Sequence, residues 1–224
     1  MEDTMNKIKI NLLIIIQTIS LLISSILAII FYNCFNFSFY ENFYKKENLA
    51  DNIGTTYPEL INNTHNLLDY LKGDAALNTT WYSTKDILHM VDVKKLYGIS
   101  YYIMVSGYII FVFLTILLLF LLKWKFLNYL TAIFNKVSIS FVLAVAILGI
   151  VISVNFNTFW LKFHTILFSN DLWLLSPDES NLIKMVPEEF FTALVTKIVV
   201  HVLIFFVCLI VANSVFKKYF SKTR

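Results

Sequence analysis

Four long apolar stretches constrain the fold of this chain more than any other feature. They cover about residues 10–32, 99–122, 137–159 and 191–215. A membrane-spanning α-helix needs about 20 mostly apolar residues, and each stretch reaches that length. Of the 224 residues, 58% are hydrophobic and 15% are charged, whereas a soluble domain is usually about one quarter charged. The sequence therefore predicts an all-α integral membrane protein with four transmembrane helices.

The distribution of charge predicts how the chain crosses the membrane. Positive residues close to span ends tend to remain on the cytoplasmic side. They cluster at both chain ends and between the second and third spans: Lys7, Lys9, Lys123, Lys125, Lys136, Lys217, Lys218, Lys222 and Arg224. The other two connections are richer in acidic residues. Both termini are thus expected in the cytoplasm, so the net charge of +3 reflects topology and gives no indication of nucleic-acid binding.

The connection over about 33–98 is long enough for a small, partly embedded extracellular helical subdomain. Pro58 favours the first turn of a helix, and Gly73 is a plausible end for it. Further along, Ser83 and Asp86 have the spacing of a capping box. This box predicts the start of a helix that continues into the second span. The other outer connection, about 160–190, is short and rich in aromatic residues.

Two histidines lie in these outer connections and are the main candidates for chemistry. His89 precedes the second span and His164 follows the third, so both are expected near the outer leaflet. Histidine can take and give a proton near neutral pH, and Asp92 shares a helix face with His89. Because His89 lies about ten residues before its span, a shared site requires a break near Gly98 or a tilted helix. Ordinary interfacial histidines are the alternative interpretation.

Other kinds of site receive less support from the sequence. It contains no Gly-rich phosphate loop, Gly-x-Ser-x-Gly elbow or His-Glu-x-x-His zinc motif. Two histidines with a carboxylate leave a metal site open. Lys197 and His201, at i and i+4 within the fourth span, are a second candidate pair. Cys34 and Cys208 are expected at membrane depths too different for a disulfide.

The two histidine segments resemble the signatures of a known bacterial family. His89-Met-Val-Asp-Val-Lys-Lys-Leu-Tyr97 is similar to its His-x-x-Asp-Val motif. The longer pattern Phe163-His164…Phe168-Ser-Asn-Asp-Leu-Trp173…Pro177…Leu182-Ile183…Pro187-Glu-x-Phe190-Phe191 is similar to its second signature. The family is the lipoprotein intramolecular transacylase. Its fold would be a four-helix membrane bundle with a partly embedded outer subdomain.

The resemblance implies a reaction on a diacylglyceryl lipoprotein whose N-terminal cysteine has a free α-amino group. The acyl chain at the glycerol sn-2 ester would move to that amine, giving the lyso-form, N-acyl S-monoacylglyceryl lipoprotein. Donor and acceptor are then in one molecule, so orientation replaces much of the barrier and no acyl-enzyme is needed. The expected partners are this substrate and membrane lipids. No cofactor is expected, and the protein is expected to be a monomer in the plasma membrane.

Resemblance carries the catalytic roles onto His89 and His164, with His89 guessed to be the base and His164 the acid. We assign further roles to residues of the same segments. The expected orienting carboxylates are Asp92 and Asp171, the expected oxyanion donors Tyr97 and Asn170, and the expected pocket-lining rings Phe163, Phe168 and Trp173. Two other functions stay open at this point. One is a non-enzymatic lipid or lipoprotein handler, and the other is a small transporter or channel subunit using Lys197, His201, Asn155 and Asn157.

Overall fold

A computed structural model describes the backbone of residues 2–123 and 125–222, and the side chains of residues 7–123 and 131–218. In this part of the chain all regular structure is α-helical. The helices are α1 Glu2–Cys34, α2 Phe37–Lys46, α3 Leu49–Asn52, α4 Tyr57–Lys72, α5 Thr84–Leu122, α6 Lys125–Val154, α7 Phe156–Leu167, α8 Asn181–Met185 and α9 Glu188–Lys222. Four of them, α1, α5, α6 and α9, are long and apolar enough to cross a membrane. The prediction of an all-α protein with four transmembrane helices is confirmed.

The helix breaks differ from those expected. Helix α5 runs for 39 residues without interruption through Gly98, so the break considered there does not occur. A break is found instead at Asn155, where α6 ends and α7 begins. Asn155 has an extended backbone, with φ −153° and ψ 86°, and its side-chain oxygen accepts a hydrogen bond from the N–H of Thr158. This cap lets the chain start a new helix, and that helix carries His164.

The chain forms two compact units. The first, here called the bundle unit, consists of the described residues of Met1–Ile30, Tyr101–Ile150 and Ile198–Arg224. The second, the connector unit, consists of Phe31–Ser100 and Val151–Lys197. It contains both of the long connections that the sequence places outside the membrane. The side chains of Lys125, Lys222 and Arg224, which contributed to the topology prediction, lie outside the described residues.

The bundle unit combines an apolar core with short polar contacts between helices. Leu22, Val202 and Phe206 are buried at its centre. Between α1 and α5 the amide of Gln17 donates to the hydroxyl of Thr115 at 2.5 Å. Such contacts hold helices together where lipid replaces water, because apolar packing alone gives little preference for protein over lipid. Small residues serve the same purpose by letting two backbones approach closely.

The connector unit confirms the local helix signals. Helix α4 starts after Thr56, whose hydroxyl accepts a hydrogen bond from the N–H of Glu59, with Pro58 in its first turn. It ends at Gly73, whose φ of +96° lies in the left-handed region that glycine adopts without strain. Phe190, fully buried, contacts the rings of α2 and fastens the start of α9 to that helix.

The capping box at the start of α5 is also present. The N–H of Asp86 donates to the hydroxyl oxygen of Ser83, and the N–H of Ser83 donates to the carboxylate of Asp86. Two backbone donors that a helix start leaves unsatisfied are thereby paired. The box fixes where α5 begins, and therefore the helical phase of every residue on its first turns.

Gly107 on α5 offers a test of the close packing in the bundle unit. A Cβ atom at this position would overlap the hydroxyl oxygen of Ser24 and lie 3.2 Å from the backbone oxygen of Ser20. We expect Gly107→Ala to lower the free energy of unfolding by about 1–3 kcal/mol, the usual cost of overpacking. Thermal unfolding of the detergent-solubilised protein measures it.

Gly98 on the same helix is the matched control, because no atom lies within 4 Å of the position of its added Cβ. Gly98→Ala is expected to leave stability unchanged or raise it by up to about 1 kcal/mol, since alanine favours a helix over glycine. Adding Ser24→Ala to Gly107→Ala removes the nearest atom and is expected to restore much of the loss. Equal melting temperatures for the two single alanine variants would contradict this account of the packing.

Candidate active site

The structure brings the two candidate histidines together inside the connector unit. His89 lies on the second turn of α5, and His164 lies near the end of α7. Their ring centroids are 6.1 Å apart, with an angle of 38° between the ring planes. Both side chains are almost fully buried, with 7% and 6% of their surface exposed. The two imidazoles are therefore close enough to act on the same small group.

His164 is held in a defined tautomer by its own helix. Its Nδ1 lies 2.8 Å from the backbone carbonyl oxygen of Trp160, one turn earlier. A carbonyl oxygen only accepts hydrogen bonds, so Nδ1 carries the proton in the neutral ring. Nε2 then keeps its lone pair, which makes it the atom of His164 that can take a proton.

Aromatic side chains enclose His164. Trp173 stacks on the imidazole, with ring centroids 4.9 Å apart and planes 26° apart. Trp160 meets the ring edge-on at 4.5 Å. Phe163 and Phe168 contact it at centroid distances of 5.4 Å and 5.7 Å. These rings remove most of the water that would otherwise solvate a charged imidazole.

Burial therefore lowers the pKa of His164 below its ordinary value of 6.5, and the hydrogen bond to the Trp160 carbonyl only partly opposes this. The His164 ring is thus neutral at pH 7. Close to it, the Nδ1 atom of His89 is buried and has no hydrogen-bond partner among the described residues. Burial opposes a positive charge on either imidazole, and charges on both rings at once would also repel each other.

The segment after α7 is attached to α5 beside the histidines. The side-chain amide of Asn170 donates to the carboxylate of Asp92 at 2.9 Å, and its own carbonyl accepts from the N–H of Leu172. Asp92 also forms an ion pair with Lys95 at 3.2 Å. The carboxylate expected to orient His89 is thus bonded to Asn170 and Lys95. Phe168 lies against both imidazoles, 5.3 Å from that of His89.

Other predicted residues lie away from the histidine pair. Tyr97 is two turns further along α5 than His89, and its ring packs edge-on against Phe31 and Phe35 at 5.0 and 5.3 Å. The side chain of Asp171 is exposed. This arrangement gives no support to the expected roles of Tyr97 in binding an oxyanion and of Asp171 in orienting an imidazole.

The remaining candidates from the sequence also lie elsewhere. The ammonium group of Lys197 sits 4.9 Å from the ring centroid of Phe39, a cation–π contact within the connector unit. Cys34 and Cys208 are both free thiols. Among the described residues, no group of three or more His, Cys, Asp or Glu side chains is arranged to hold a metal ion.

Sequence reasoning missed two parts of the site. Trp160 is not among the residues given a role from the sequence, yet its carbonyl and its ring both contact His164. Its spacing of four residues from His164 is the only signal that pointed to this. Ser180 was not considered, although it is buried and hydrogen-bonded to Asp86, a residue 94 positions away. No local pattern reveals such a contact.

The titration of His164 tests the role of the aromatic cover, which we define as the rings of Trp160, Phe163, Phe168 and Trp173 around its imidazole. We expect Trp173→Ala to raise the pKa of His164 toward 6.5, because water then reaches the face of the imidazole. NMR of histidine-labelled protein, with the resonance assigned by substituting His164, measures the shift. Leu172→Ala removes a half-buried aliphatic neighbour in the same segment and is the control. An unchanged His164 titration in Trp173→Ala would exclude desolvation by this ring.

Comparison with known proteins identifies relatives of the whole chain. A family model described as "Lipoprotein intramolecular transacylase Lit" matches residues 14–191. The chain is also similar to the solved structure of the membrane-integral lipoprotein intramolecular transacylase Lit from Bacillus cereus. The TM-score is 0.75 at 26% identity, over 96% of this chain and 97% of that one.

Structures of two variants of the Bacillus cereus protein match equally well, each with one histidine replaced. The arginine variant has a TM-score of 0.75 at 26% identity over 98% of both chains. The alanine variant has a TM-score of 0.75 at 25% identity over 100% of this chain and 98% of that one. No curated protein sequence matches this chain significantly.

Proposed function

The chain belongs to the lipoprotein intramolecular transacylase family, and we propose that it transfers the sn-2 acyl chain of a diacylglyceryl lipoprotein to that lipoprotein's own N-terminal amine. It is a multi-pass membrane acyltransferase. The product would be the lyso-form lipoprotein, with an amide-linked acyl chain and one acyl chain left on the glycerol. The observation that carries this proposal is the pair of buried imidazoles 6.1 Å apart.

The reaction needs one proton removed from nitrogen and one delivered to oxygen. The amine attacks the sn-2 ester carbonyl and forms the new C–N bond. Collapse of the tetrahedral intermediate then breaks the C–O bond to the glycerol, whose oxygen leaves as an alcohol. A positioned base and acid each contribute about 10²–10⁴-fold to such a step. The protein is regenerated without an acyl-enzyme, and no cofactor takes part in the scheme.

His164 is the base in this proposal. Its Nδ1–H is committed to the carbonyl of Trp160, so Nε2 has the lone pair that takes the proton of the amine. Its lowered pKa keeps that lone pair available at neutral pH. This assignment reverses the guess made from the sequence, where His89 was the base.

His89 then stabilises the glycerol oxygen that leaves when the intermediate collapses. A neutral imidazole with its proton on Nε2 donates a hydrogen bond to the oxyanion of the intermediate and to the glycerol oxygen, as neutral histidines do in other enzymes. The proton that His164 gains on Nε2 passes to that oxygen, while His89 keeps its own proton and holds the oxygen by a hydrogen bond. Both rings finish the cycle neutral.

The aromatic cover has a chemical purpose in this scheme. Water in the site would compete with the amine for the ester and hydrolyse the lipid. Trp173, Phe163 and Phe168 exclude it around His164 and offer an apolar wall to the acyl and glycerol carbons. Because amine and ester belong to one molecule, holding them against the two imidazoles supplies a large part of the rate enhancement.

The proposed location follows from the charges. Lysines at the two chain ends and between the second and third spans support cytoplasmic termini. The connections that carry the two histidines then lie at the outer leaflet. Lipoproteins with a membrane-anchored N-terminus have their glyceryl esters at headgroup depth, so substrate and site meet at the same level.

Tandem mass spectrometry of a lipoprotein's N-terminal peptide tests the reaction. The host should make only diacylglyceryl lipoproteins, with this protein present or absent. Since acyl migration yields an isomer, fragmentation is the informative readout, because it reveals whether one chain remains on the cysteine nitrogen. We expect an N-acyl fragment with the parent protein and a loss of at least ~100-fold in His89→Ala and in His164→Ala.

His65→Ala is the matched control, because His65 is an exposed histidine of the same unit that stacks on Phe37. It is expected to retain activity. Unchanged lipoprotein with well-expressed parent protein would contradict the transacylase reaction and favour a non-enzymatic lipoprotein-binding role. An N-acyl product that persists in both catalytic variants would contradict the histidine mechanism alone.

The pH dependence of kcat/KM offers a separate test. His164 must be neutral, and because its pKa lies below 6.5, its protonation should reduce the rate only well below that pH. The substrate amine must also be unprotonated, and its pKa is expected near that of an ordinary α-amine, about 7.7–8.0. kcat/KM should therefore rise with pH up to about pH 8. The limb near pH 8 reports deprotonation of the substrate amine, and a second limb at lower pH reports deprotonation of His164. An enzyme limb at or above pH 6.5 would contradict the base assignment.

A further inference from the structure

Asp86 has a contact that helix capping does not explain. It is fully buried, and one carboxylate oxygen accepts the N–H of Ser83 in the capping box. The other oxygen accepts a hydrogen bond from the hydroxyl of Ser180 at 2.5 Å. Ser180 is itself 2% exposed, and its oxygen also accepts the N–H of Ile183 at the start of α8. A buried carboxylate thus joins the start of α5 to a segment far along the chain.

Neighbouring bonds join the same two segments. The ammonium group of Lys85 donates to the carbonyl of Leu174, and the amide of Asn181 donates to the carbonyl of Trp81. The indole N–H of Trp81 also points to the sulfur of Met185 at 2.9 Å. We call this set the clasp; it consists of Trp81, Lys85, Asp86, Leu174, Ser180, Asn181 and Met185. Its only bond to a buried charge is that between Asp86 and Ser180.

The residues of the clasp are close in the chain to both sides of the histidine site. His89 follows Asp86 by three residues, which places it one turn away on the same face of α5. Leu174 directly follows Trp173, whose ring stacks on His164. One side of the clasp therefore lies one helical turn from His89, and the other is adjacent in the chain to the ring that covers His164.

We infer that Asp86 and Ser180 are a positioning pair, which holds the segment bearing Trp173 against the first turns of α5 and so sets the spacing of the two histidines. The pair touches no reacting atom. The inference concerns the proposed transacylation, and it rests on that function for its effect on rate. It goes further by naming two residues that the quoted histidine motifs do not specify and on which the site depends.

Burial explains why the hydroxyl of Ser180 matters. A carboxylate oxygen removed from water needs a hydrogen-bond donor, and leaving it without one is costly. Without Ser180, the simplest relief is to admit water, which requires the segment around residues 174–180 to move away from α5. Trp173 would move with it and uncover His164.

Charged and titratable residues lie on every element around His164. They are Lys85, Asp86, His89, Asp92, Lys94 and Lys95 on the first turns of α5, Lys162 on α7, Asp171, Asp178 and Glu179 after α7, and Glu188 and Glu189 at the start of α9. Ser180→Ala leaves these residues in place but removes the hydroxyl partner of the Asp86 carboxylate, and Asp86→Ala removes that carboxylate itself. Loss of the negative charge would lower the pKa of His164, so a rise of this pKa in both variants reports lost burial.

The experiment uses the full-length protein in detergent, with Ser180→Ala, Asp86→Ala and the double variant. In Ser180→Ala, which retains the capping box of α5, we expect kcat to fall about 10–100-fold, the effect of misplacing a catalytic group by about 1 Å. We also expect the pKa of His164, measured by NMR, to rise toward 6.5. In the double variant the loss should be no larger than in the more severe single variant, because both residues act through one bond.

Glu59→Gln is the matched control. Glu59 occupies the same position of the first turn in α4 as Asp86 does in α5, but it is exposed and bonds only near its own helix start. It should leave kcat and the His164 titration unchanged. Additive losses, or a Ser180→Ala variant within twofold of the parent in kcat with an unshifted His164 titration, would overturn the inference. Because the titration needs no turnover, it tests the clasp even if the parent protein proves not to be a transacylase.

Discussion

The removal of polar groups from water constrains both the membrane-spanning helices and the histidine site of this protein. Within the hydrocarbon core no solvent satisfies backbone N–H and C=O groups, so a spanning segment must pair them internally. The four long helices satisfy this requirement, and polar contacts such as Gln17 with Thr115 fasten helix to helix. In the connector unit, the imidazoles of His89 and His164 are likewise removed from water. Burial keeps the imidazole of His164 neutral, and that is the state in which it can accept a proton.

The chemistry of the proposed reaction suits such a site. An ester and an amine already joined in one molecule need no nucleophile from the protein, which agrees with the lack of a recognisable nucleophile motif in the sequence. What the protein must add is orientation, proton transfer and the exclusion of water. In the proposed mechanism, two imidazoles 6.1 Å apart under a cover of aromatic rings would supply all three. In the proposed clasp, this cover is held by residues such as Asp86 and Ser180, which the quoted histidine motifs do not specify.

Much of the local structure could be predicted from the sequence because its causes are local. The apolar stretches set the number of spans, Pro58 and Gly73 bound α4, and Ser83 with Asp86 starts α5. The family was recognised from the two histidine segments, and the family model confirms it. Where the prediction failed, a capping side chain competed with an apolar run. Asn155 ends α6 and starts α7 before the apolar stretch is complete, so His164 belongs to a helix of its own.

The pairing of distant residues was decided only by the tertiary structure. The sequence by itself determined the helical membrane fold, the helix starts and the two histidines as candidates, since periodicity, caps and hydrophobicity act over a few residues. It did not determine that Asp92 bonds to Asn170, that Trp173 stacks on His164, or that Ser180 meets Asp86. The base and acid guessed from the sequence are the reverse of those proposed from the structure. The tautomer of His164 depends on which atom faces the Trp160 carbonyl, and that is a property of packed side chains.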